Sequence, residues 1–318
     1  MINVNYVDLD ITINPNTQYM NYEFKAIIKD LFDFLKNPQE SFNVTLSTKQ
    51  KWKVLFSILL LDFIFVIFAS GITSFIDSFL FELKSDPIEE LFSNKGAFSI
   101  ILMAAVIVPF IEELIFRFPL KYERNLVFHF FDFLTKNRAK TLWLQYFKIF
   151  FYLFALAFTL MHLSNYSNTN SLFYILAPLI VLPQIIAGIT LGYVRLKLGF
   201  FWGVLQHGLY NLILFSVALL FFNSNQLTKI NNTDYSLEIN IVEFGLNNPI
   251  RLETYKSEDR IDSIIGNNTT VKELVEILNS TDTLLLKNSK RLNIHFINKI
   301  NSKSPETIIL DELKKEFK

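Results

Sequence analysis

Not one of the 318 residues is a cysteine, which excludes disulfides, thiolate metal sites and a cysteine nucleophile. Neither sign of charge is in excess. Thirty Lys and Arg are matched by 30 Asp and Glu, so the basic footprint of a nucleic-acid binder is missing and no nucleic-acid partner is expected. There is no Gly-rich phosphate loop and no internal repeat. The first residues, MINVNYVDLDITINPN, lack the basic and then apolar stretches of a secretory signal peptide, so membrane insertion is expected from internal segments. What the chain does have is apolar surface: 51% of its residues are hydrophobic and 34 are Phe, the composition of a membrane protein with polar flanks.

Five apolar runs approach the roughly 20 residues that cross a hydrocarbon core. They cover Val54 to Ile72, Phe98 to Leu120, Ile149 to Leu163, Leu172 to Val194 and Phe200 to Phe222. Between the first two, TSFIDSFLFELKSDPIEELF is too charged to span and is expected to form an interfacial helix or loop. Lys49, Lys51 and Lys53 precede the first run, Lys121, Arg124, Lys136, Arg138 and Lys140 follow the second, and Arg195 and Lys197 follow the fourth. The alternate connections carry only Lys84 and Lys95, so the positive-inside rule places the N-terminus in the cytosol.

The flanks differ from this middle. Residues 1–50 are polar and hold one helical stripe, Met20, Phe24, Ile27, Ile28, Leu31 and Leu35, which suits either the membrane surface or the protein's own cytosolic face, the latter being favoured. From residue 223 the chain turns polar. Strand-like alternation at Leu237, Ile239 and Ile241 and at Leu292, Ile294 and Phe296 is joined by a capping box at Thr270 to Glu273 and a helix start at Ser304-Pro305. The expected architecture is an all-α polytopic membrane bundle of about five spans over residues 51–222, followed by a small extramembrane α+β domain over residues 223–318.

A carboxylate at membrane depth costs at least about 2.5 to 3.5 kcal/mol on insertion scales, so ionisable side chains there are functional hypotheses by default. Glu112, Glu113 and Arg117 lie in the second run, Phe158 and His162 in the third, and His207 and Asn211 in the fifth; the fourth offers Gln184 at most. Glu113 and Arg117, four apart, share a helix face and can pair, whereas Glu112 is rotated by about 100° and has no local counter-charge. An unpaired carboxylate in a low-dielectric site suits a general base acting on water. His207 and Asn211 also share a face and together offer donors to an oxyanion, while His162 can position the water or ligate a metal. Counted from the basic side at about 1.5 Å per residue, Glu112, His207 and His162 lie about 14, 15 and 21 Å deep, with His162 a helical turn out of level. His129 is expected at the interface and His295 on an outward strand face.

In order, EELIFR at Glu112 to Arg117, FTLMH at Phe158 to His162 and HGLYN at His207 to Asn211 resemble the EExxxR, FxxxH and HxxxN motifs of the CPBP family. These are the CAAX-prenyl-protease and bacteriocin-processing membrane proteins, also called the Abi family. The motif core spans residues 98–215. The resemblance implies an intramembrane endopeptidase in the plasma (inner) membrane of a bacterium, acting on peptide or protein substrates reached from the bilayer. It assigns Glu112 to water activation, His162 to holding that water, and His207 with Asn211 to the oxyanion. Glu113, Arg117 and Phe158 would support them. A zinc ion on Glu112, His162 and His207 and a metal-free glutamate mechanism both remain open. The chain departs from the family at Phe118-Pro119, where the helix is expected to bend or end. A non-catalytic immunity or peptide-binding protein is the alternative from within the family. A proton-coupled transporter is the alternative from outside it, although the inverted repeats of that class are not found.

Overall fold

The computed structural model describes residues 23–42, 45–84, 95–135, 138–221, 224–242, 250–257, 260–288, 290–300 and 304–317. Met20 of the expected amphipathic stripe and residues 85–92 of the expected interfacial stretch lie outside these. Two compact units divide the chain, one of residues 1–81, 110–163 and 174–207 and the other of residues 82–109, 164–173 and 208–318.

The first unit begins with α1 (Phe24–Lys36), which buries Ile27, Leu31 and Phe34. The buried stripe is thus centred on Leu31 and takes in Phe34, while Phe24 stays exposed. α1 packs on the protein, as its carboxylate at Asp30 accepts from Tyr193 and pairs with Lys197, and the Leu35 carbonyl accepts from Tyr152. Helix α2 (Thr48–Phe79) opens on a capping box in which Ser47 Oγ accepts from the Gln50 backbone and the Ser47 N–H donates to the Gln50 side chain. It does not stop near Ile72. Thr73 to Phe79, expected to be interfacial, continues the same helix, because Thr73 returns its hydroxyl to the Ala69 and Ser70 carbonyls instead of competing with the helix.

The second apolar run is α3 (Ala97–Leu102), a π-helical turn over Met103–Ile107, and α4 (Val108–Phe116). It ends in a 3-10 turn, Phe118–Leu120, with Pro119 near its start. Two short helices follow, α5 (Leu126–Thr135) and α6 (Arg138–Gln145), and then α7 (Phe147–Met161). Glu40 ties this connection down by accepting from the Tyr122 N–H at 2.8 Å and from Trp143 Nε1 at 2.9 Å. Burial raises the pKa of its carboxyl, with the Trp143 hydrogen bond opposing.

The fourth run is not a single rod. α8 (Ser171–Ile180) and α9 (Leu182–Leu198) are bent by 40° at Val181, with Pro178 inside one helix and Pro183 opening the other, where a missing N–H and a rigid ring break the ladder. The fifth run is α10 (Phe200–Phe221). Among the described residues, four helices are long and apolar enough to cross a membrane, or five with the bent pair taken as one span. α9 meets α7 through Gly188 and Gly192, where a methyl group would lie 3.1 Å from the Ala155 carbonyl oxygen and 2.7 Å from the Phe151 ring. Gly192→Ala is therefore expected to cost about 1 to 3 kcal/mol through overpacking, read as a lower thermal midpoint of the purified protein. An unchanged midpoint would show that the helix contact yields.

In the second unit, five strands form an antiparallel sheet: β1 (Ser224–Asn231), β2 (Tyr235–Val242), β3 (Arg251–Ser257), β4 (Arg260–Thr270) and β5 (Arg291–Asn298), in the order β1-β2-β5-β4-β3. Leu237 and Ile239 pair with Phe296 and Ile294, and this apolar face is covered by α11 (Val271–Ile277) and α12 (Pro305–Glu316). The Thr270–Glu273 capping box forms as expected and starts α11.

Candidate active site

Both glutamates stand in the last turns of α4, yet they meet different surroundings. Glu113 is fully buried, and its Oε1 lies 3.6 Å from Arg117 Nε and 3.1 Å from His207 Nδ1. Glu112 keeps 12% of its side chain exposed, with Oε2 at 3.5 Å from His207 Nε2 and Oε1 at 4.0 Å from His162 Nε2. His207 therefore stands between the two carboxylates, one for each ring nitrogen. With His207 as an imidazolium, the charges of Glu112, Glu113, Arg117 and His207 sum to zero.

His162 caps α7 and opens a 3-10 turn, His162–Asn165. Its Nδ1 lies 2.9 Å from the Phe158 carbonyl oxygen, which can only accept, so Nδ1 carries the hydrogen and Nε2 of the neutral ring turns a lone pair toward Glu112. The expected step in depth between the two residues does not keep them apart. Phe158 forms the floor of the cluster: its ring lies 3.6 Å from the Arg117 guanidinium carbon and 4.6 Å from the His162 ring. That stacking matters because Arg117 Nη1 and Nη2 are buried with no hydrogen-bond partner among the described residues. Gly203 on α10 lets the Glu113 carboxylate lie against that helix, since a Cβ there would sit 3.2 Å from Oε2.

Asn211 follows His207 by one turn of α10 and belongs to the second unit, where its Nδ2 donates to the Ala104 carbonyl at 2.8 Å within the π-helical turn. Gln184 reaches α7 through its backbone carbonyl, which accepts from Thr159, while its buried side-chain oxygen has no partner among the described residues. His129 stacks near Tyr122 and His295 points outward from β5.

Residues 94–213 match the family model described as type II CAAX prenyl endopeptidase Rce1-like. This part of the chain is similar to that family. The matched residues include all seven positions singled out by spacing, from Glu112 to Asn211, and the Rce1-like match agrees with the CPBP resemblance. Searches of curated proteins and of solved structures returned no match. The Rce1-like family is one of proteases, and together with the apolar helices it makes the chain an integral membrane protein.

Glu112, His162 and His207 as placed do not fit a bound metal, because among the described residues no three His, Asp or Glu side chains converge on one point. Each imidazole Nε2 instead faces a separate oxygen of the Glu112 carboxylate. One polar pair escaped the reading by spacing. Asp62 of α2 is buried and accepts a hydrogen bond from Gln206, the residue before His207. The signal was there in the run LLLDFIF, a lone carboxylate among apolar residues, which carries the same insertion cost as Glu112.

Proposed function

We propose that the chain is an intramembrane endopeptidase that hydrolyses peptide bonds of membrane-associated substrates with water activated by Glu112. The observation that carries this reading is the arrangement of Glu112, whose two carboxylate oxygens face the Nε2 atoms of His162 and His207, contributed by different helices. The 4.0 Å between Glu112 Oε1 and His162 Nε2 is too long for a direct hydrogen bond and suits one bridging water.

Glu112 accepts a proton from that water as its oxygen attacks the scissile carbonyl carbon, and His162, accepting through Nε2, orients the attack. The carbonyl oxygen becomes an oxyanion. His207, held through Nδ1–H by Glu113, donates to it from a protonated Nε2. Collapse of the tetrahedral species breaks the C–N bond as the proton on Glu112 passes to the leaving amine. Arg117 neutralises Glu113 and Phe158 supports both Arg117 and His162.

The test is cleavage of a peptide library by the purified full-length protein in lipid nanodiscs, followed by mass spectrometry. Wild type is expected to give new termini, and His162→Ala is expected to lose about a hundredfold or more of that activity. Peptide binding by wild type without any product would overturn the reading in favour of a non-catalytic binding protein.

A further inference from the structure

Asp62 stands mid-way along α2, 5% exposed, and among the described residues no Lys, Arg or His pairs with it. Its Oδ2 accepts from Gln206 Nε2 at 2.9 Å. Two further oxygens at this contact, Asp62 Oδ1 and Gln206 Oε1, are both buried, and Gln206 Oε1 has no hydrogen-bond partner among the described residues. The nearby Thr190 hydroxyl can turn from the Ile186 and Ala187 carbonyls to donate to the Asp62 carboxylate, but it leaves Gln206 Oε1 without a donor. An ionised Asp62 would leave Gln206 Oε1 without a donor and place a charge with no cationic partner at membrane depth, a costly combination. A single proton on Oδ1 directed at Gln206 Oε1 gives both oxygens a partner and removes the charge. The pair then has the form of an acid–amide dimer joined by two hydrogen bonds.

We propose that Asp62 is held as a neutral carboxylic acid bonded to Gln206, and that this pair is a positioning device for His207. Gln206 and His207 are successive on α10 and project about 100° apart. One is gripped by α2 through Asp62 and the other by α4 through Glu113, so α10 is held against rotation from two directions at the turn that presents the imidazole. Asp62 touches no reacting atom and takes no part in proton transfer. The role assigned to the pair in turnover rests on the proposed peptidase; its protonation and its effect on the imidazole do not.

Full-length protein in nanodiscs provides the test, with Asp62→Asn and Asp62→Leu as variants. Asparagine reproduces both hydrogen bonds without a proton to lose, whereas leucine strands Gln206. At neutral pH the infrared difference between wild type and Asp62→Asn is expected to contain the C=O band of a protonated carboxylic acid. The nitrogen-15 resonances of the His207 ring should be unchanged in Asp62→Asn and displaced in Asp62→Leu. Cleavage should stay within about twofold of wild type in Asp62→Asn, and kcat should fall about ten- to a hundredfold in Asp62→Leu at nearly constant KM. A carboxylate band in place of the acid band, or loss of activity in Asp62→Asn, would overturn the proposal. Should Asp62→Leu fail to fold, the infrared band and Asp62→Asn still decide it. A wild type with the acid band and the expected His207 resonances but no cleavage would refute the peptidase and leave the pair standing.

Discussion

Glu112→Gln is expected to lower peptide cleavage by about a hundred- to ten-thousandfold, the range over which a positioned general base contributes, while folded yield stays at the wild-type level. The amide has the size of the carboxylate but cannot take a proton from water. Two features keep the fold indifferent to the change. Glu112 is the partly exposed member of the pair, and Arg117 is balanced by Glu113 and stacked on Phe158, so no buried charge is stranded. Size-exclusion profiles and cleavage rates measured on the same preparations separate the two effects. Full activity in Glu112→Gln would contradict the assignment of the base.

Glu113→Ala has the opposite profile, with folding the first casualty. Glu113 is fully buried and is the closest carboxylate to both Arg117 Nε and His207 Nδ1. Removing it leaves a guanidinium buried whose Nη1 and Nη2 already lack partners. Breaking a buried pair from one side costs about 3 to 5 kcal/mol, a large share of the about 5 to 15 kcal/mol that holds a typical protein together. The expected result is a severalfold drop in monodisperse protein from the same expression. Whatever survives should also cleave poorly, because the His207 ring has lost the acceptor for Nδ1–H. Wild-type yield with no activity would exchange the roles of the two glutamates.

The site was legible because burying a polar group in an apolar run is costly enough to make its spacing informative. The i,i+4 spacing of Glu113 and Arg117 predicted a pair, and 3.6 Å separates Glu113 Oε1 from Arg117 Nε. The rotation of Glu112 away from that pair left it without a partner on its own helix, and it faces two imidazoles from other elements instead. The alternation at Leu237 and Ile239 and at Leu292, Ile294 and Phe296 likewise pointed to strands, and these residues form the covered face of the sheet.

Backbone irregularities were less visible. The π-helical turn at Met103–Ile107 has no compositional marker, although it supplies the carbonyl that Asn211 meets. The bend at Val181 left Pro178 and Pro183 as its trace, but the apolar run continued unbroken across both. The end of α2 was placed too early because the stretch from Thr73 was read as too charged to span, whereas Thr73 folds its hydroxyl back onto the helix. Asp62 was overlooked because its partner Gln206 carries no charge and lies far away in the chain.

The most direct test of the central claim is a single-turnover cleavage in heavy-oxygen water, with the product read by mass spectrometry. If Glu112 and His162 activate a water for direct attack, the new C-terminal carboxylate carries the heavy oxygen from the first turnover. A first-turnover product without the label would mean that a protein carboxylate attacked the peptide itself, and Glu112 would then be a nucleophile instead of a base.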